Sequence, residues 1–326
     1  MKINKDEIIN SMKENNFSGV ISIKENNKTI LQQAMGYRDR VNKLKNNMDT
    51  LFGIASGTKT FTALGILKLA EEGKLNLDDQ AFKYIPEIFD TYDSSITIKH
   101  LLTHTSGIPD YLDEEVDTIH IDIPTYELLK PTDYLKIMPH TSMKFKPGEK
   151  FNYNNSAYIF LSMIIEELTG NYHKYIGEKI LKKAKMKHSG FFRMDDLPHN
   201  TALGYIEKDK NNRTNIFSLP IIGGGDGGMF TTVNDIHNFW NALINGVIIK
   251  KETFNQMIKP HAKANELYYG YGQWLKPYKD LFIPIMIGED IGVSFESGYN
   301  LEDNTSYTVI ANNQHDVWPI SKIMLK

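Results

Sequence analysis

Strand-like alternation in this chain sits at its two ends and gives way to helical, proline-broken sequence in between. Phe17–Lys24 alternates, with Phe17, Ile21 and Ile23 on one face, Ser18 and Ser22 on the other, and Val20 out of phase. Glu25-Asn26-Asn27 is a hairpin signal, and Lys28–Tyr37 follows as a second strand. Near the other end, Gly270–Pro277, Leu281–Gly288, Gly292–Tyr299 and Thr305–Asn312 read as successive antiparallel strands, and strand character is expected from about residue 203 onward. Ile3, Ile8, Ile9 and Met12 give residues 3–15 an apolar helical face, and Asp316–Leu325 reads as a closing helix. Between these ends lie helical stretches beginning near Thr58 and ending at Gly73, over Asn152–Leu168 with a stop at Gly170, and over Tyr172–Ala184. Prolines 86, 109, 124, 131, 139 and 147 break the rest into loops and short helices. Remote strands that share one sheet make the two ends a single unit. The expectation is therefore an α/β lobe from residues 1–57 and 204–326, its antiparallel sheet flanked by the N- and C-terminal helices, with a mostly helical lobe, 58–203, inserted.

A chain of 326 residues, 41% hydrophobic and 24% charged, can bury a large core without staples, and it contains no cysteine. That removes disulfides, thiolate metal sites and a cysteine nucleophile from consideration. With 37 basic and 40 acidic residues the net charge is −3, so no bulk field holds nucleic acid or an anionic membrane. Mostly apolar runs such as Tyr158–Ile165 are far short of the ~20 residues of a membrane span. The opening MKINKDEIINSMKENN has no apolar signal core. The expected location is cytoplasmic, or exported if a signal precedes this sequence.

Phe52-Gly-Ile-Ala-Ser-Gly-Thr-Lys-Thr-Phe61 holds the one Ser-x-x-Lys of the chain, Ser56 and Lys59. Ser56 falls at or near a helix start, with Lys59 one turn later on the same face. Free N–H groups there can hold an oxyanion. A partly buried lysine has its pKa lowered, which makes its amine a proton acceptor for the serine. The plain alternative is an N-cap serine followed by a solvated lysine. The one Tyr-x-Asn, Tyr153 and Asn155, adds a phenol able to shuttle a proton and an amide with one acceptor and two donors, for a substrate amide or for Lys59.

SGTK (56–59), EGKLNLDD (72–79), HLLTHTSGIPDY (100–111), Tyr153-Asn154-Asn155 and GGMFTTVNDI (227–236) stand in this order along the chain. Together they resemble the serine β-lactamase-related family of class C β-lactamases, DD-peptidases and esterases, over roughly residues 15–315. The resemblance implies a β-lactamase/transpeptidase-like fold with Ser56 as acylated nucleophile. It further implies general base and acid duties shared by Lys59 and Tyr153, substrate positioning by Asn155, and the Ser56 amide as one oxyanion donor.

The family's third motif is Lys-Thr-Gly or His-x-Gly on a strand lining the cleft. The matching region, Ile287-Gly-Glu-Asp-Ile-Gly-Val-Ser-Phe295, has neither Lys nor His. Glu289 or Asp290 stands near the cation's place, and Gly292 or Ser294 marks the open backbone that would meet substrate. An acid there repels a substrate carboxylate, and loss of a charged donor costs about 1.5–3 kcal/mol. The expected function is thus a serine hydrolase acting through an acyl-enzyme on a small-molecule or peptide ester or amide, esterase- or peptidase-like, with weak action on β-lactams. The alternatives are a genuine β-lactamase or DD-peptidase, and an acylated sensing module with little turnover.

Other features weigh less. Gly223-Gly-Gly-Asp-Gly-Gly228 formally fits G-x-G-x-x-G but follows no βα pattern, so it reads as a bare backbone wall of the cleft. His100 and His104 have the spacing of a helical ligand pair but lack the Glu of H-E-x-x-H, and no metal or cofactor is expected. Tyr268, Tyr269, Tyr271 and Trp274 suit either a cleft lining or a strand core.

Overall fold

The structure is a computed structural model describing residues 3–86, 91–112, 124–206 and 211–324; the expected end of the closing helix at Leu325 lies outside them. Helix α1 (Lys5–Glu14) starts where the Asn4 side chain accepts the Glu7 N–H, and it buries Ile8 and Met12. The hairpin β1 (Gly19–Glu25) and β2 (Lys28–Met35) follows, then short strands β3 (Tyr37–Asp39), β4 (Leu44–Lys45) and β5 (Phe52–Gly53). Helices α2 (Lys59–Glu71), α3 (Ile98–Leu102), α4 (Asn155–Thr169) and α5 (Tyr172–Ile176) make up the middle. After β6 (Phe230–Thr231) come α6 (Val233–Ile244) and α7 (Lys251–Met257). Strands β7 (Ala262–Ala264), β8 (Leu267–Tyr269), β9 (Trp274–Tyr278), β10 (Leu281–Asp290), β11 (Val293–Asn300) and β12 (Thr305–Ala311) precede α8 (Trp318–Met324).

The two ends of the chain do meet in one sheet. Its eight strands run β2-β1-β12-β11-β10-β9-β8-β7, all neighbours antiparallel, with the N-terminal hairpin joined to β12 from Gly19↔Ala311 to Glu25↔Thr305. Both sheet faces are covered, which explains Val20. Ile21 and Ile23 pack with Ile8, Met12, Ile320 and Met324 of the terminal helices, while Val20 enters the larger core on the other face. Ser22 is buried on that second face too, bonded at 2.8 Å to His237 of α6.

Three expectations need correction. Residues 204–261 are not mainly strand: α6 and α7 occupy much of this stretch, α6 beginning where the Thr232 side chain accepts the Asp235 N–H. Gly270–Gln273 is a turn, closed by Gly270 N–H donating to Gln273 O, so β9 starts at Trp274. Tyr172–Ala184 is not one α-helix but α5 followed by a π-turn over Gly177–Leu181. Helices α2 and α4 are apolar on nearly all sides and lie inside the larger core, as such helices must. Among the described residues no helix is long and apolar enough to cross a membrane.

Candidate active site

Ser56 belongs to a single 3-10 turn, Ala55–Thr58, that runs into α2. Ala55, just before it, has φ +44°, a left-handed conformation that costs a non-glycine residue about 1 kcal/mol or more. The surroundings hold the turn in place: Ile54 N–H donates to Met229 O, Gly57 N–H to Ile54 O, and the Thr58 hydroxyl to Ala55 O while accepting the Met229 N–H. Ser56 lines a cavity of about 880 Å³.

Lys59 lies beneath it, 2% exposed. Its Nζ is 3.0 Å from Ser56 Oγ, 2.7 Å from Asn155 Oδ1 and 2.7 Å from the Asp226 carbonyl oxygen. Two of these partners are carbonyl oxygens, which only accept. The serine hydroxyl alone can also donate. A neutral Lys59 that keeps both carbonyl bonds therefore aims its lone pair at Ser56.

The Asn155 amide is oriented by Asp110 as well. Its Nδ2 donates to Asp110 Oδ2 at 3.1 Å and to Leu112 O at 3.2 Å, and its backbone N–H donates to the same carboxylate at 2.7 Å. Ser156 adds its N–H and hydroxyl to Asp110 Oδ1. Burial pushes Asp110 up to about 6, against the opposing pull of the Asn155 and Ser156 amides and of Lys59. Of the two partners weighed for Asn155, Lys59 is met here: the amide oxygen accepts from Lys59 Nζ, Nδ2 donates to Asp110 and Leu112 O, and the side chain lines the cavity.

Tyr153 joins this group from the other side. The Lys59 Nζ stands 4.9 Å from its ring centre, and the ring lies parallel to Trp274 at 5.8 Å. His104 shapes the segment that carries it: the His104 carbonyl accepts the Asn152 N–H, His104 Nδ1 accepts the Asn154 N–H at 3.1 Å, and the ring lies 4.4 Å from that of Tyr153. Burial, helped by Lys59, lowers the His104 pKa well below its usual value, so the ring is neutral with its proton on Nε2. His100 serves α3 instead, its Nδ1 accepting the Thr97 N–H in a capping box. Tyr269 and Tyr271 are buried, whereas Trp274 borders a second depression beside Tyr153.

The glycine-rich segment 223–228 does present backbone to the centre, through the Asp226 carbonyl on Lys59. The Asp226 carboxylate accepts the Tyr111 hydroxyl at 2.6 Å, and burial raises its pKa.

The sheet side of the cleft is β10, and here the sequence reading changes. A Cβ on Gly288 would lie 2.0 Å from Ile54 O and 2.9 Å from Gly57 N, so only glycine lets the strand pass this close to the serine turn. Met286 shares the Gly288 face and is buried in the larger core; Ile287 packs on the opposite face with the terminal helices. Glu289 falls on that opposite face, where its carboxylate accepts from Trp318 Nε1 and Gln314 Nε2 and meets His315, so it is not an acid aimed at substrate. Asp290, back in the Gly288 phase, lines the cavity. Gly292, φ +73°, lines it too, with its backbone against Gly204. Ser294 does not: it is fully buried and donates to Asn313 O at 2.7 Å, and its assignment to substrate binding is withdrawn. Among the described residues no cluster of His, Asp and Glu is arranged to hold a metal.

A buried lysine turned on a serine at a helix start, facing a strand glycine across a cleft, defines the serine-hydrolase architecture of one family. The chain belongs to the Beta-lactamase family, whose model matches residues 5–306. It is similar to PbpX of Bacillus subtilis (strain 168), 32% identical over 274 residues, which are 83% of this chain and 65% of PbpX. Against Protein flp of Staphylococcus aureus (strain N315) it is 38% identical over 189 residues, 57% of this chain and 37% of that protein. The chain thus spans less than two thirds of the length of these curated relatives. Among solved structures, a penicillin binding protein from Bacillus halodurans superposes with a TM-score of 0.92 at 35% identity, covering 98% of this chain and 99% of that one. A D-stereospecific amidohydrolase from Streptomyces sp. shares the fold, with a TM-score of 0.83 at 22% identity over 98% of both chains.

Proposed function

We propose that the chain is a serine hydrolase that forms an acyl-enzyme on Ser56. The observation that carries this is the Lys59 amine, bonded to two carbonyl oxygens and to the one hydroxyl that can give it a proton. In acylation the Ser56 proton passes to Lys59 as the Oγ–carbon bond forms. The Ser56 N–H, which makes no hydrogen bond within the protein, is one donor to the oxyanion. The second comes from the edge of β10, which β9 covers only as far as Ile285, so that residues 286–290 have no strand partner on that side among the described residues. Collapse breaks the bond to the leaving group, which takes its proton from the Tyr153 phenol, itself recharged by Lys59. Water then retraces the path and releases the acid.

The substrate is an ester or amide without a carboxylate at the sheet wall. With Gly288 as the glycine of the third motif, Met286 takes the place of its Lys or His, and Asp290 stands on the same face. A β-lactam or a peptide C-terminus would bring its anion to a wall that offers no cation.

A chromogenic short-chain ester and a chromogenic cephalosporin, assayed side by side, test this reading. The ester should turn over, the cephalosporin hardly at all, and both signals should vanish in Ser56→Ala. Strong cephalosporin turnover that depends on Ser56 would return the protein to the β-lactamases proper.

A further inference from the structure

The cavity onto which Ser56 opens is walled by apolar side chains from two remote segments. Phe192, Met194 and Leu197 come from one, Ile216 and Leu219 from another, and Ile291 faces them from the β10–β11 turn. These walls are tied together: Asn215, 3% exposed, donates from Nδ2 to Ile291 O at 2.8 Å, and Gly204 packs its backbone on Gly292. Among the described lining residues there is no Lys, Arg or His, while Asp226 and Asp290 are present; Glu289 touches the cavity too, but its carboxylate is turned to Trp318, Gln314 and His315. Phe217, between two lining residues, is 90% exposed, which extends apolar surface outward beside the cavity.

Tyr153 is not part of this lining. It borders the second depression, of about 780 Å³, which is more polar than the first: Lys144, Asn152, Asn265 and Glu266 line it beside Phe151, Leu267 and Trp274. In the acyl-enzyme reading, on which this inference rests, Tyr153 gives the departing group its proton. The departing group therefore lies on the polar side, and what stays bound to Ser56 lies in the apolar cavity.

We propose that the cavity is an acyl pocket selecting uncharged, bulky apolar acyl groups, so that the preferred substrates are medium-chain or aryl-alkyl acyl esters or amides with a polar leaving group. A volume of about 880 Å³ accommodates such a chain with room to spare. Its apolar walls favour each added methylene, and its acids disfavour an acyl chain that ends in a carboxylate.

The test is kcat/KM of the intact protein on 4-nitrophenyl acetate, butyrate, octanoate and phenylbutyrate, and on the hemisuccinate as the anionic counterpart of the butyrate. Burial of a methylene is worth about fourfold in binding, so a rise of at least about tenfold from acetate to octanoate is expected, with the hemisuccinate at least about tenfold below the butyrate. Ile216→Glu should pull the octanoate-to-acetate ratio toward one. A flat or falling series whose hydrolysis still requires Ser56 overturns the acyl pocket and leaves the acyl-enzyme standing. Hydrolysis that survives in Ser56→Ala, or no hydrolysis and no acyl adduct with any ester, overturns both.

Discussion

The helical wall of the cleft and its sheet wall are built on opposite principles. On the helical wall a polar network holds the centre: Lys59 in three bonds, Asn155 and Ser156 around Asp110, and His104 Nδ1 on the segment before α4. Such a network favours one arrangement, and it orients Lys59 toward Ser56 before any substrate arrives. On the sheet wall, the approach of β10 is set by what is missing, namely a side chain at Gly288, and Met286 contributes no charge. The contrast teaches that the helical wall holds the groups the proposed acyl chemistry needs, while the sheet wall offers Met286 where a cation would have to stand to recognise an anionic substrate.

The largest effect should come from breaking the helical wall. Lys59→Ala removes the proton acceptor and leaves Asn155 Oδ1 and the Asp226 carbonyl without their donor. General-base loss is worth about 10²–10⁴, so kcat on a responsive ester should fall about 10³-fold, and a drop of less than tenfold would contradict the assignment. Next comes the sheet wall. Gly288→Ala places a methyl 2.0 Å from Ile54 O. Overpacking of this kind costs about 1–3 kcal/mol, and displacement of the Ser56 turn by about 1 Å costs about 10² in rate. A thermal melt and a rate measured together should show both losses; an unchanged rate would mean that β10 does not set the serine's position.

The smallest effect is a pH dependence. Asp110 accepts only N–H and O–H groups, so its ionised form best holds Asn155, and its pKa of about 6 predicts a rate that falls as pH drops through 6. Stability has the opposite sign. A carboxyl raised from 3.8 to about 6 by folding stabilises the native state below pH 4, and that contribution is lost as pH rises through 6. Asp110→Asn should flatten the fall in melting temperature between pH 4 and 6; an unchanged slope would show that Asp110 is not its source.

Legibility in the sequence followed the range of the interactions. Ser56 and Lys59 lie within one turn, and Tyr153 and Asn155 next to one helix start, so local spacing found them. The outer strands alternated because sheet periodicity is local too. Asp110 escaped functional notice, and His104 was weighed only as half of a ligand pair, because their partners are some 45–50 residues away, and a lone Asp or His carries no mark of that distant contact. The register of β10 was illegible for a similar reason. Whether Met286 or Glu289 faces the cleft depends on pairing with β11, where Glu289 stands opposite Ser294, and on where the serine turn rests. Helices α6 and α7 were missed where a strand-rich reading of the C-terminal part was carried too far upstream.

Intact-mass measurement during incubation with an activated apolar ester tests the central claim most directly. The account predicts a transient gain of one acyl group, located by peptide mapping on the Ser56 peptide, decaying to native mass as substrate is exhausted and absent in Ser56→Ala. No adduct at any time in a protein that hydrolyses the ester, or an adduct that persists in Ser56→Ala, would contradict it.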